Sequence, residues 1–229
     1  MKMRSEQVSG HRCLVWESST SRSPQVLFIG LHGLGTSAND LVSLTEYLAI
    51  GSCCFVFPDA PFTAPHSGVR SYAWYDIEIE SEVQQRFQIQ QSCNYLMQII
   101  SYFQKMYAPI TTTPNLPTIL FGFSQGGVLA LETGLRYDGF LSGIIVMSGY
   151  WPDPIRTQPA IKASQSLPIL FLHGTEDLVI PVQGSQHACE QLVQVGFHPQ
   201  LKTFNMGHEI SEKSLQVAVD FLKQLKLSE

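Results

Sequence analysis

The sequence predicts an α/β protein with a doubly wound, mostly parallel sheet and helices on both faces. Three observations carry that expectation. Apolar runs recur at Gln25–Leu31, Cys53–Phe57, Pro117–Phe121, Leu141–Met147 and Leu167–His173, each too continuous for a strand with one wet face and suited to one covered on both. Helical patterns lie between these runs, as parallel neighbours require, because their crossovers need a helix. One run leads directly into Gly122-Phe123-Ser124-Gln125-Gly126-Gly127 and then into the periodic Val128–Leu135. That succession of strand, glycine-rich turn and helix start is the shape that lifts a serine hydroxyl above a sheet.

With 229 residues, 44% of them hydrophobic, the chain is long enough to bury one sizeable core, and residues 1–229 are read as a single domain. A net charge of −5, with no run or stripe of Lys and Arg, excludes the electrostatic footprint of a nucleic-acid binder. The sequence has no apolar stretch of about 18 residues and no leading hydrophobic segment of roughly 7–15. A cytoplasmic protein without an integral membrane segment is therefore expected, and a homodimer is compatible with this composition. Five cysteines, an odd set without a C-x-x-C pair, suit neither a disulfide framework nor a zinc site. They read as buried thiols, with Cys53 and Cys54 pointing to opposite faces of one strand.

Taken in order, Arg12–Ser18 reads as an antiparallel edge strand and Ser19–Pro24 as a polar turn. Gln25–Leu31 is the first parallel strand and ends in His32-Gly33-Leu34-Gly35. Ser37 or Asn39 caps a helix over 40–50 with Leu41, Leu44, Tyr47 and Leu48 at helical spacing. The strand Cys53–Phe57 is closed by Pro58-Asp59-Ala60-Pro61. From Phe62 to Glu80 periodicity disappears among Pro65, Gly68, Trp74 and Tyr75, and a loop of this length in a compact domain usually has a function. Ser81–Tyr107 is the longest helical pattern, with Val83, Phe87, Leu96, Ile99, Ile100 and Phe103 marking one face. Pro114 and Pro117 then deliver the chain to the serine-bearing strand.

After the Val128 helix come the strand Leu141–Met147 and a second aromatic loop, Ser148–Pro154. The strand Leu167–His173 ends in Gly174-Thr175-Glu176-Asp177. Val182–Val195 reads as a helix stopped by Gly196, Gln200–Phe204 as a last strand, Asn205-Met206-Gly207-His208 as its outgoing loop, and Lys213–Leu227 as an amphipathic helix.

In such a sheet, function collects in the loops leaving the carboxyl ends of the strands. Those loops carry Leu34, Ser124, Asp177 and His208, with nucleophile, acid and histidine in that chain order. A serine hydroxyl attacks an acyl carbon at neutral pH only if a neighbouring imidazole takes its proton. Of the seven histidines, His187 falls inside a helix and His198 precedes the last strand, so position favours His208 as the base. Asp177 is the acid that orients it, with Glu176 the nearest rival and Asp153 a distant one. A developing oxyanion needs preset donors about 3 Å away; Gln125 N–H is one and Leu34 N–H the other. The Gly33 loop matches neither G-x-G-x-x-G nor the Walker spacing, which argues against a phosphate cradle. Trp74 and Tyr75 in one loop, with Tyr150 and Trp151 in another, are placed as walls of an apolar acyl pocket, Trp74, Tyr75 and Trp151 foremost.

Six blocks taken together carry a resemblance: Leu31-His32-Gly33-Leu34-Gly35, Pro58-Asp59-Ala60-Pro61, Ala73-Trp74-Tyr75-Asp76, Gly122-Phe123-Ser124-Gln125-Gly126-Gly127, His173-Gly174-Thr175-Glu176-Asp177 with Pro181, and Met206-Gly207-His208-Glu209. In that order, from about Gln25 to Leu222, they resemble the phospholipase/carboxylesterase family of α/β-hydrolases, which includes acyl-protein thioesterases and small bacterial carboxylesterases. The resemblance implies a Ser124, Asp177, His208 triad with oxyanion amides at Leu34 and Gln125. The Trp74-Tyr75-Asp76 and Gly207-His208-Glu209 wording looks closer to the bacterial carboxylesterases. Thr36-Ser37 stands where many relatives place Asp after the second loop glycine, and 62–72 is a variant of its own.

The expected activity is hydrolysis of carboxylic esters or thioesters through an acyl-Ser124 intermediate, on a small-molecule or lipid-like acyl substrate, with no metal and no cofactor. Within hydrolases the alternatives are a lysophospholipase, a lysogalactolipid lipase or an acyl-protein thioesterase. From another class, the alternative is a catalytically silent binding protein on the same fold.

Overall fold

A computed structural model describes residues 2–18, 23–64, 71–107, 115–152 and 160–227. Positions 19–22 of the polar turn, Pro65 and Gly68 of the long loop, Pro114, and the end of the second aromatic loop with Asp153 lie outside the described residues. In spatial order the main sheet runs β1 (Lys2–Val8), β2 (His11–Glu17), β4 (Cys53–Pro58), β3 (Val26–Leu31), β7 (Thr118–Phe123), β8 (Gly143–Met147), β9 (Ile169–Gly174) and β10 (Gln200–Phe204). The pairings of β1 with β2 and β2 with β4 are antiparallel, and every pairing from β4 to β10 is parallel. The helices are α1 (Thr45–Leu48), α2 (Glu82–Tyr107), α3 (Gln125–Arg136), α4 (Gln183–Gln194) and α5 (Glu212–Gln224).

The parallel strands bury both faces because consecutive side chains point to opposite sides. Leu27, Ile29 and Leu31 join one core with Leu96, Ile99 and Phe103 of α2 and Leu129 of α3. Val26 and Phe28 join the other with Leu48 of α1 and Leu215 and Leu222 of α5. In that second core Phe28 stacks on Phe55 with ring centroids 4.4 Å apart, and Phe121 meets Phe55 and Phe57 edge-on. Burying each such ring contributes roughly 1.5–3 kcal/mol.

The structure corrects the sequence reading in several places. Residues 11–17 are not the edge strand, because β1 lies outside them, joined through Ser9 and Gly10 at φ 52° and 82°, the left-handed pair that a two-residue hairpin favours. β1 escapes a hydrophobicity reading because it is mostly polar and exposed, with only Val8 of its residues buried. Arg4 pairs with Glu17 of β2 at 2.8 Å. The helix expected over 40–50 shrinks to a 3-10 turn at Val42–Leu44 followed by α1, and no side chain caps either piece. Val83 and Phe87 lie exposed at the start of α2, whereas Leu96, Ile99, Ile100 and Phe103 are buried. Part of the long loop forms an antiparallel ribbon, β5 (Phe62–Thr63) with β6 (Tyr72–Ala73). None of the helices among the described residues is long and apolar enough to cross a membrane.

Strand order fixes where a site can form. The chain passes from β3 outward to β4 and later returns to β7 on the other flank of β3. Between the carboxyl ends of β3 and β7 the order therefore reverses, and crevices at such switch points are where ligands bind.

Candidate active site

Ser124 sits between β7 and α3 at φ 57°, ψ −123°, a left-handed conformation that a non-glycine residue adopts only under local constraint. Its backbone is held at both ends: its N–H donates to the Met147 carbonyl at 2.8 Å, and its carbonyl accepts from Val128 N–H at 3.1 Å. The flanking glycines follow from close approach. A methyl on Gly122 would overlap the Gly126 carbonyl, and one on Gly126 would overlap the Leu31 carbonyl at the end of β3. The G-x-S-x-G spacing thus lets α3 start hard against both strands.

Around this serine the structure brings together residues from three loops. His208 Nε2 lies 2.9 Å from Ser124 Oγ, and His208 Nδ1 lies 2.7 Å from Asp177 Oδ2. His208 Nδ1–H donates to the Asp177 carboxylate, which leaves the Nε2 lone pair facing the serine hydroxyl. Asp177 Oδ1 accepts the backbone N–H groups of Val179 and Ile180 at 2.9 and 2.8 Å. Burial alone would push the Asp177 carboxyl up, but the hydrogen bond from His208 and those two amides outweigh it and hold the group below its ordinary range. Glu176, the nearest rival, is exposed, as are His187 and His198.

A second layer holds the loop after β3. His32 is buried and its Nδ1–H donates to the Gly33 carbonyl at 2.8 Å, while its Nε2 accepts Ala60 N–H at 3.1 Å. Burial pushes its ring toward the neutral form, consistent with one nitrogen donating and the other accepting. Asp59 takes Arg12 at 2.7 and 3.2 Å and Ala38 N–H at 2.8 Å. The Pro58–Pro61 block therefore braces the His32–Gly35 block. Trp74 Nε1–H donates to the His32 carbonyl at 2.8 Å. The Gln125 side chain reaches the same loop: its Oε1 accepts Trp74 N–H at 2.8 Å and its Nε2 donates to the Tyr75 carbonyl at 2.7 Å.

Leu34, Ser124 and Gln125 share the wall of one cavity of about 420 Å³ with Tyr75, Tyr150, Val179, Ile180 and Gly184. The Tyr75 and Tyr150 hydroxyls meet at 3.2 Å. Tyr75 thus stands where the sequence placed it. Trp74 and Trp151 do not: both are buried in the core behind the loops, Trp74 because its indole turns inward to the His32 carbonyl. Val179, Ile180 and Gly184 carry no sequence signal beyond their nearness to Asp177; the one hint is an apolar Leu178-Val179-Ile180 in a turn, where Leu178 is 96% exposed and Val179 68%. A second cavity, of about 460 Å³, opens beside Pro117, Ser142 and Pro168 at the amino ends of β7, β8 and β9, at the opposite end of the strands from Ser124.

A parallel sheet with this strand order, carrying a serine on a strained strand-to-helix turn and a histidine and aspartate from later loops, defines an α/β-hydrolase. The family model described as phospholipase/carboxylesterase matches residues 12–226. The chain belongs to that family. It is 28% identical over 210 residues to the carboxylesterase SOBER1 of Arabidopsis thaliana, covering 87% of this chain and 90% of that one. It is 30% identical over 208 residues to acyl-protein thioesterase 1 of Eremothecium gossypii, covering 86% of each. Among solved structures, esterase PE8 superposes with a TM-score of 0.78 at 26% identity, over 98% of this chain and 100% of that one.

Proposed function

We propose that this protein is a serine hydrolase of carboxylic esters or thioesters with an apolar acyl group, acting through an acyl-Ser124 intermediate. The observation that carries the reading is the run of hydrogen bonds from Ser124 Oγ through His208 to Asp177, at 2.9 and 2.7 Å, opening on an apolar cavity. Family membership and the esterase and thioesterase relatives support the bond class.

In this reading Ser124 Oγ attacks the acyl carbon as His208 Nε2 takes its proton, and Asp177 stabilises the resulting imidazolium. The backbone N–H groups of Leu34 and Gln125 receive the developing oxyanion. His208 then returns its proton to the leaving oxygen or sulfur, and the same imidazole activates the water that releases the acid. The acyl chain lies along Tyr75, Tyr150 and Ile180.

The test is Ser124→Ala assayed on p-nitrophenyl esters and acyl thioesters, together with mass-spectrometric mapping of a serine-directed phosphonate on the native enzyme. The expected result is loss of nearly all turnover in a folded variant and label on Ser124 alone. Label on another residue, or retained turnover, refutes the assignment.

A further inference from the structure

β1 is the margin of the sheet opposite β10, and among the described residues no strand pairs with its outer side. We infer that a second copy of this chain does so, β1 against β1, antiparallel about a two-fold axis at Ser5, joining the two sheets into one.

Which groups of β1 face outward follows from its inner neighbour. The Arg12 carbonyl of β2 accepts the N–H of Asp59, just past β4, at 2.9 Å, and Ser18 N–H, just past β2, donates to the Cys53 carbonyl of β4 at 3.1 Å. Backbone groups alternate sides along an antiparallel strand, so the even-numbered residues of β2 are turned to β4. His11, Cys13, Val15 and Glu17 are turned to β1, where their partners are Val8, Glu6, Arg4 and Lys2. Those four spend their backbone bonds on β2. Met3, Ser5 and Gln7 therefore hold each N–H and C=O outward, an open ladder of the kind that recruits another strand.

Self-pairing must match outward residues with outward residues. With Ser5 opposite the second copy's Ser5, Met3 stands opposite Gln7 on either side of the axis, and every outward residue of both strands exchanges its two bonds. The same register sets Arg4 directly opposite the second copy's Glu6, twice over by symmetry. Slipping it toward the amino end sets Arg4 on Arg4, and slipping it toward the turn sets Glu6 on Glu6. Opposite charges facing across strands stabilise and like charges destabilise, so the side chains select the register that the backbone also prefers. Charges on an edge strand ordinarily keep other strands away; here their order repels the slipped pairings and accepts one.

Arg4 and Glu6 share a face of the strand and stay within reach of the seam, their side chains 29% and 20% exposed. On that face Arg4 lies 3.4 Å from Glu6 and 2.8 Å from Glu17, and the Tyr102 hydroxyl donates to Glu6 at 2.6 Å. The dimer brings two such clusters together. Partly exposed ion pairs contribute little energy, so the backbone ladder supplies the affinity and the charges supply the specificity.

The test is sedimentation of the full chain over rising concentration. The wild type should pass from monomer to dimer mass below about 1 mM, a weak association suited to a ladder much smaller than a standard interface. Ser5→Pro deletes an outward N–H and no bond to β2, a change an edge strand tolerates, and should raise the dimer dissociation constant about tenfold or more. Arg4→Glu and Glu6→Arg should each stay monomeric alone, whereas an equal mixture of the two should form the heterodimer, since acidic and basic positions then face each other. Ser5→Cys should give a disulfide-linked dimer on mild oxidation, the paired Cα atoms standing about 5.5 Å apart. A monomer at every concentration leaves that edge to solvent or to a strand of another protein and overturns the inference. A dimer that Ser5→Pro and the charge variants leave unchanged uses another face and overturns it too, and a mixture that stays monomeric overturns the register. Should either charge variant fail to fold, Ser5→Pro and Ser5→Cys decide. None of these readouts depends on ester turnover, so the serine reading stands or falls separately.

Discussion

Gln125 divides its work between backbone and side chain. Its amide N–H is the oxyanion donor in our reading, while its side chain pins Trp74 N–H and the Tyr75 carbonyl at 2.8 and 2.7 Å. Gln125→Ala leaves both of those buried backbone groups unpaired, an expected loss of about 1–3 kcal/mol in urea denaturation, with a fall in kcat/KM as the Tyr75 wall loosens. At Asp177 the sign of the pH effect follows from its lowered carboxyl. A carboxyl lower in the folded than in the unfolded state stabilises the fold fully above its ordinary value of about 4 and loses that contribution as pH falls through the depressed value. The stability gap between wild type and Asp177→Asn should therefore close below about pH 4, measured by denaturant titration across pH. Ser124 and Asp177 were legible because each stands in a loop after an apolar strand, and His208 because it stands in a glycine-containing loop after the last strand, in an order the fold demands. The Gln125 side chain was not, since its partners belong to a distant loop that packs against it.

Among the elements, the apolar parallel strands read clearly because burial on both faces leaves an unbroken run. Exposed or short elements did not: β1 is polar, and the 40–50 segment is held by packing of Leu41, Leu44 and Leu48 rather than by a cap. The last helix shows the reverse, a local device that spacing alone left unread. Ser211 accepts Ser214 N–H at 3.2 Å and the Ser214 hydroxyl accepts Ser211 N–H at 3.0 Å, a reciprocal cap at the start of α5. Ser211→Ala should cost about 1 kcal/mol and lower Tm by roughly 2–4 °C, with kcat/KM unchanged because α5 touches the sheet face rather than the cavity. Calorimetry beside an esterase assay checks both halves; a change in kcat/KM equal to that of Gln125→Ala would contradict it.

For the whole molecule, the cavity and the switch point between β3 and β7 coincide, so the loops that hold Leu34 and Ser124 are neighbours by topology rather than by sequence. In the proposed reading, acyl selectivity falls to the loops after β8 and β9. A methyl added at Gly184 would stand 3.1 Å from Tyr150 Cβ, closer than side chains tolerate without a shift of the wall. Gly184→Ala should move the preference in a p-nitrophenyl ester series toward shorter acyl chains, with kcat on the shortest ester kept. An unchanged profile would mean that acyl chains do not run along Tyr150.

The strand order has one more consequence. The parts of the proposed site come from distant segments: Leu34 follows β3, Ser124 follows β7, and His208 leaves β10, the strand at the outer margin of the sheet. A chain still emerging from the ribosome has its alcohol and carboxylate translated well before its imidazole. In the proposed reading, hydrolysis begins only when synthesis has passed residue 208 and that marginal strand has docked, which makes ester turnover a report on the docking of β10.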